Sequence, residues 1–204
     1  MKVSGRSWFQ GFGVLFLLIF ASAAISAPAR GPQQIPVQRR QVKIAIDNFI
    51  LTDQSGKPFE FKHLNGKVVV AAFAYTTCPD VCPLITAAMR QVQINLSEAE
   101  KKRVQLITVT TDPEIDVPKV LAGYAKRYGA ELDSWSFLTG DETTLKKVWK
   151  NFGVGVKRKA RGLVDHTPLT AVVDQRGVLR FAYIGASPDK NLVLNDVRSL
   201  LAGR

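Results

Sequence analysis

The chain has 204 residues, 46% of them hydrophobic and 22% charged, with two cysteines and a formal charge of +11 from 28 Lys and Arg against 17 Asp and Glu. That length suits one domain plus a tail or anchor, and two cysteines are too few for a disulfide scaffold. The basic surplus suits an acidic partner or an anionic membrane surface, and the absence of zinc-finger spacing and RNP-like aromatics argues against nucleic acid.

The N-terminus reads as a targeting segment. Lys2 and Arg6 precede an apolar run from Gly11 to Ile25, followed by small residues, the layout of an export signal. Ala21-Ser22-Ala23 and Ser22-Ala23-Ala24 offer cleavage sites. The stretch from Trp8 to Ala29 is also long enough to span a bilayer. Residues 1–27 are therefore either a cleaved signal peptide or a membrane anchor, with the domain outside the cytoplasm, in a bacterial periplasm. Residues 28–41 read as a polar, proline-rich linker, and the domain occupies 42–204.

Val42–Thr52 has extended character. Asp53–Gly56 is a turn and Phe59–Phe61 a returning strand, an N-terminal β-hairpin extension. The continuous apolar run Val68–Ala74 suits a strand buried on both faces. A helix follows from Pro83 to about Asn95. Ser97–Glu100 is a capping box, Val104–Thr110 the next strand, and Asp116–Tyr128 a helix with Pro118 in its first turn. Trp135–Leu138 is short and extended, and Asp141–Phe152 is a helix. Leu169–Asp174 and Val178–Tyr183 pair around a turn, and a final helix runs from Ser187 or Pro188 to about Leu201. Strands alternating with amphipathic helices give a layered α/β domain. A central mixed sheet flanked by helices and ending in an antiparallel hairpin matches the thioredoxin plan.

Cys78 and Cys82 are four apart, in Thr77-Cys78-Pro79-Asp80-Val81-Cys82-Pro83, where a buried strand turns into a helix. On a helical turn that spacing puts both sulfurs on one face, about 6 Å apart along the axis. Such a pair can grip a soft metal, close a small disulfide or act as a redox couple. The helix N-terminus favours thiolate over thiol. His166 precedes the penultimate strand, in a loop that packs beside the cysteine turn in a thioredoxin-like fold. Two thiolates and one imidazole suit Cu(I), or Cu(II) with an added oxygen ligand, whereas zinc wants a fourth ligand. Neutral imidazole is needed, so binding weakens on acidification. His63 falls on a surface turn and takes no role. Asp80 and Asp165 neighbour the three residues as supporting or solvated acids. The basic run Lys157–Arg161 is either a solvated loop or a docking surface for an acidic partner.

With Tyr75–Pro83, the segments Thr110–Asp116, Tyr124–Gly129, Trp135–Gly140, Val164–Thr167 and Val173–Gly177 follow one another in an order that resembles the Sco (SenC/PrrC) family of thioredoxin-like copper proteins. The resemblance spans about residues 45–201. It implies that Cys78, Cys82 and His166 ligate copper, as Cu(I) or Cu(II), and that Asp112 supports the site. It further implies a metallochaperone, not a turnover enzyme, that delivers copper to the CuA centre of cytochrome c oxidase or reduces its cysteines. The implied partners are the CuA-bearing subunit, other copper chaperones, thioredoxin-like reductases, and the membrane if the N-terminal segment is uncleaved. Pro168, two residues after the histidine, and the non-aromatic strand Leu169–Val173 depart from the family pattern. The alternative is a periplasmic thiol–disulfide oxidoreductase, with one of Cys78 and Cys82 attacking and the other resolving.

Overall fold

The computed structural model describes residues 36–159 and 162–203. The targeting segment 1–27, the linker up to residue 35, and Ala160 and Arg161 of the basic run lie outside the described residues.

The framework is a sheet of eight strands among the described residues. They are β1 (Gln38–Ala45), β2 (Ile50–Asp53), β3 (Pro58–Glu60), β4 (Val68–Ala74), β5 (Val104–Thr110), β6 (Trp135–Thr139), β9 (Leu169–Val173) and β10 (Val178–Ile184). Their spatial order is β1-β10-β9-β4-β5-β6-β2-β3. β4, β5 and β6 run parallel, and β9 lies antiparallel to β4. The sheet is therefore mixed, as the sequence pattern implies. The strands β7 (Val156–Arg158) and β8 (Val164–His166) form a separate two-stranded hairpin.

The central strands show why the apolar runs are continuous. Val68, Val70 and Ala72 of β4 enter one core, and Val69, Ala71 and Phe73 enter the other. Alternation with period two feeds both faces, so every position must be apolar. Helices α1 (Val81–Ile94), α3 (Pro118–Arg127) and α5 (Lys190–Leu201) supply the first core through Ile85, Met89, Leu121, Tyr124, Val193 and Val197. Helix α4 (Glu142–Phe152) supplies the second through Leu145, Val148, Trp149 and Phe152. The short α2 (Glu98–Lys101) carries the capping box: Ser97 Oγ accepts from Glu100 N, and Glu100 Oε2 accepts from Ser97 N. Asp141 and Asp189 cap α4 and α5 with their side chains.

Helix α1 starts two residues before the expected Pro83 and α5 two residues after the expected Pro188, and larger differences lie in the N-terminal strands and at α3. The extended stretch 42–52 is two strands on opposite sides of the sheet, β1 beside β10 and β2 beside β6. Only β2 and β3 make the N-terminal hairpin. Strand β1 begins at Gln38, inside the stretch read as linker, because Arg39 is fixed to the domain. Its guanidinium donates to both oxygens of Asp196 at 2.6 and 2.7 Å and lies over the Phe181 ring. Tyr183 donates to the same carboxylate. Gly185 (φ +143°) passes Val37 so closely that an added Cβ would meet it at 2.8 Å. Helix α3 starts at Pro118, after Asp116, which has a different task.

Candidate metal centre

The cysteines sit where the C-terminal end of β4 passes into α1. Cys78 lies in the turn, half-buried, with its N–H donated to the Tyr75 carbonyl at 3.3 Å. Cys82 lies in the first helical turn and is fully buried. Both cysteines are free thiols. The unpaired N–H groups of the first turn favour negative charge at this end.

Across the site, His166 ends β8. Its Nε2 lies 3.3 Å from Cys82 Sγ, although the residues are 84 apart in sequence. Its Nδ1 lies 3.1 Å from the Thr167 carbonyl. A carbonyl can only accept, so Nδ1 carries the proton and Nε2 presents a lone pair to the sulfur. Burial lowers the imidazole pKa from its ordinary 6.5, which keeps the ring neutral.

The two thiols are pushed apart by each other. The hydrogen bond from Cys82 holds Cys78 down at about 5, with help from the Asp80 and Cys82 backbone N–H groups. The Cys78 thiolate and burial push Cys82 up. The pair therefore keeps one proton, on Cys82, with two acceptors in reach: the Cys78 sulfur and His166 Nε2. A buried thiol beside a thiolate and a neutral imidazole is a soft donor set with one proton to displace. Among the described residues, no three such side chains are already closed into a metal cage. The donor chemistry fits a soft cation that draws the three together.

Sequence reasoning missed three supporting residues. Tyr75 is buried between the ligand candidates. Its hydroxyl accepts from Val164 N at 3.4 Å, and its ring meets His166 edge-on at a centroid distance of 6.0 Å. Burial raises its phenol to about 12, so it stays protonated. Asp116 is fully buried and accepts from Thr76 N and Oγ1 and from Thr110 Oγ1, fixing the chain two residues before Cys78. Arg158 pairs with Asp112, which is only 1% exposed, at 2.7 Å. Only a period-two reading of 156–166 could have found Arg158.

The remaining acids and His63 fall outside the donor set. Asp80 is exposed, and Asp165 is exposed and paired with Lys159 at 2.9 Å. His63 is exposed and pairs with Glu60. A depression of about 480 Å³ flanks the hairpin, lined by Gly155, Lys157, His166, Thr167 and Pro168. Neither cysteine lines it, so it is not the donor site.

The chain is similar to known proteins over nearly its whole described length. The SCO1/SenC family model matches residues 37–202. A SCO2-like protein of Rickettsia felis is 30% identical over 185 residues, covering 87% of this chain and 86% of that one. Among solved structures, BsSco matches with a TM-score of 0.70 and 30% identity, over 81% of this chain and 98% of that one. Its structure identified a disulfide switch in a member of the Sco family of cytochrome c oxidase assembly proteins. Yeast Sco1, solved with copper bound, matches with a TM-score of 0.67 and 26% identity, over 79% of this chain and 90% of that one.

Proposed function

The chain belongs to the SCO1/SenC family, and on that premise we propose that it is a copper-binding assembly factor for cytochrome c oxidase, with Cys78, Cys82 and His166 as the ligands of its copper cargo. The observation that carries this reading is the 3.3 Å approach of His166 Nε2 to Cys82 Sγ, beside the lowered Cys78 thiol. Yeast Sco1, a similar protein, was solved with copper bound.

The chain's own groups divide the work. Cys78 is ready as a thiolate. Cys82 gives up its proton on binding. His166 offers Nε2 because Thr167 holds the proton on Nδ1. A site half-open at Cys78 and closed at Cys82 lets a partner's thiolates reach the cargo from the Cys78 side, so transfer proceeds by ligand exchange. The finer client is the CuA-bearing subunit. The place of action is the bacterial periplasm, with residues 1–27 as signal or anchor.

One observation favours a second reading, a thiol–disulfide reductase acting on the cysteines of the apo-CuA centre. A lowered thiol beside a raised one is the arrangement of an attacking and a resolving cysteine. A single comparison separates the two. The full chain, reduced and in detergent, is titrated with Cu(I) against a competing chelator, with His166→Ala alongside. Binding of one copper per chain that weakens at least tenfold in the variant supports the copper reading. Equal binding by both proteins, with efficient disulfide reduction, would overturn it.

A further inference from the structure

We propose that Arg158 is the positioning residue for His166: its ion pair with the buried Asp112 holds the β7–β8 hairpin, and with it the imidazole, against the cysteine turn. The proposal rests on the reading that His166 is a copper ligand.

In the hairpin register, Val156 pairs with His166, Lys157 with Asp165, and Arg158 with Val164. Side chains alternate along a strand, so Val156, Arg158, Val164 and His166 share one face. Val164 is buried in a small cluster with Tyr75 and Cys82, so that face looks inward. Lys157 and Asp165 lie on the other face, and Arg158, although 41% exposed, reaches from the inward face to a buried partner. Arg158 is thus the charged residue on the face that carries the ligand.

Asp112 is a buried acid that needs a cation. Its carboxylate is buried, and Arg158 Nη2 donates to its Oδ1 at 2.7 Å. The other oxygen, Oδ2, has no hydrogen-bond partner among the described residues. A buried carboxylate without a cation is costly, so Asp112 pulls Arg158 inward. Glu114, on the same turn, takes the other arm of the guanidinium at 3.2 Å.

Few hydrogen bonds among the described residues tie the hairpin to the body. Two strands of three residues do not persist alone. Within the hairpin segment lie Thr167 N to the Gly155 carbonyl at 3.0 Å, Gly155 N to Thr167 Oγ1 at 3.1 Å, Lys159 N to the Leu163 carbonyl at 2.7 Å and the Lys159–Asp165 pair. The ties to the body besides Arg158 include the packing of Val156 and Val164, the long bond from Val164 N to Tyr75 Oη and the 3.3 Å contact of His166 with Cys82. Among the described residues, Arg158 supplies the charged tether from the hairpin to the body. The turn that receives it also carries Asp116, which fixes Thr76 beside the cysteines. One turn, residues 112–116, brackets the cysteines and the histidine together.

The test uses the full chain with Arg158→Met, Arg158→Lys, His166→Ala and the double variant R158M/H166A. R158M is expected to weaken Cu(I) binding about tenfold in the presence of His166 and to change it less than twofold in the H166A background. R158K is expected to recover most of the loss. In reduced, metal-free protein, R158M is expected to speed amide exchange in β7 and β8 at least tenfold and to leave β4 and β5 unchanged. Equal loss of affinity in both backgrounds would show a general charge effect on the thiolates and overturn the proposal, as would unchanged hairpin exchange. If H166A alone leaves affinity intact, the copper reading fails, and the exchange result still decides whether Arg158 holds the hairpin.

Discussion

Cys82 Sγ and His166 Nε2 meet at 3.3 Å because two separate pieces of chain come together at the same end of adjacent central strands. One is the turn after β4, which leads into α1. The other is the β7–β8 hairpin, which leads into β9, the antiparallel neighbour of β4. The adjacency of β4 and β9 converts 84 residues of separation into direct contact.

Cys78 is expected to be the reactive thiol of the reduced, metal-free protein. With its pKa held at about 5, it is a thiolate at neutral pH, whereas Cys82 is protonated and buried. Limited treatment with iodoacetamide at about pH 6.5, followed by peptide mass spectrometry, should label Cys78 at least tenfold faster than Cys82. The Cys78 rate should stay nearly flat from about pH 8 to 6 and fall as the pH passes below about 5. Equal labelling, or a rate that climbs through pH 8–9, contradicts the shared proton.

Copper binding is expected to release one proton. Cys78 is already deprotonated and His166 already neutral, since their pKa values are lowered, while Cys82 is raised and must lose its proton. The logarithm of the Cu(I) association constant should therefore rise by about one per pH unit between about pH 6.5 and 8. Two unshifted thiols would give a slope of about two. Competition titrations across that range measure it.

Asp116→Ala is expected to destabilise the fold by about 2–3 kcal/mol, because it leaves Thr76 N and two threonine hydroxyls without their acceptor in a buried site. The same variant should weaken copper binding, since the turn before Cys78 loses its anchor. Urea unfolding and a Cu(I) titration check both. A loss below about 0.5 kcal/mol would show that Asp116 is not the anchor.

Arg39→Met tests whether β1 belongs to the domain. The Asp196 carboxylate is buried and Arg39 is half-exposed, so the loss should be about 1–2 kcal/mol, less than for a fully buried pair. For a chain of this size that lowers Tm by about 3–6 °C. An unchanged Tm would return Gln38–Gln41 to the status of linker.

The sequence reading succeeded where one signal dominated. Val68–Ala74 and Val104–Thr110 are apolar at every position, and burial on both faces demands that. Cys82 and His166, picked out as scarce soft donors, do meet in the fold. The reading failed where the signal was tertiary. Within Val42–Thr52 the split falls at Asp47-Asn48, a turn signal too short to outweigh the flanking apolar residues, and the partners of its halves, β10 and β6, are more than 80 residues away. The β7–β8 hairpin has three-residue strands, and its basic residues read equally as a solvated loop or as a docking surface. Arg158 is drawn inward by a buried carboxylate 46 residues earlier, a pull that no local pattern displays. Asp116 looked like the start of a helix, because aspartate there is ordinary capping chemistry. Its burial against Thr76 is visible only in the fold.

X-ray absorption at the copper edge of the Cu(I)-loaded full chain tests the central claim most directly. Two sulfur scatterers and one imidazole nitrogen are predicted, with the imidazole signal lost in His166→Ala and one sulfur lost in Cys78→Ser. A two-sulfur site with no imidazole contribution, unchanged in His166→Ala, would contradict the account.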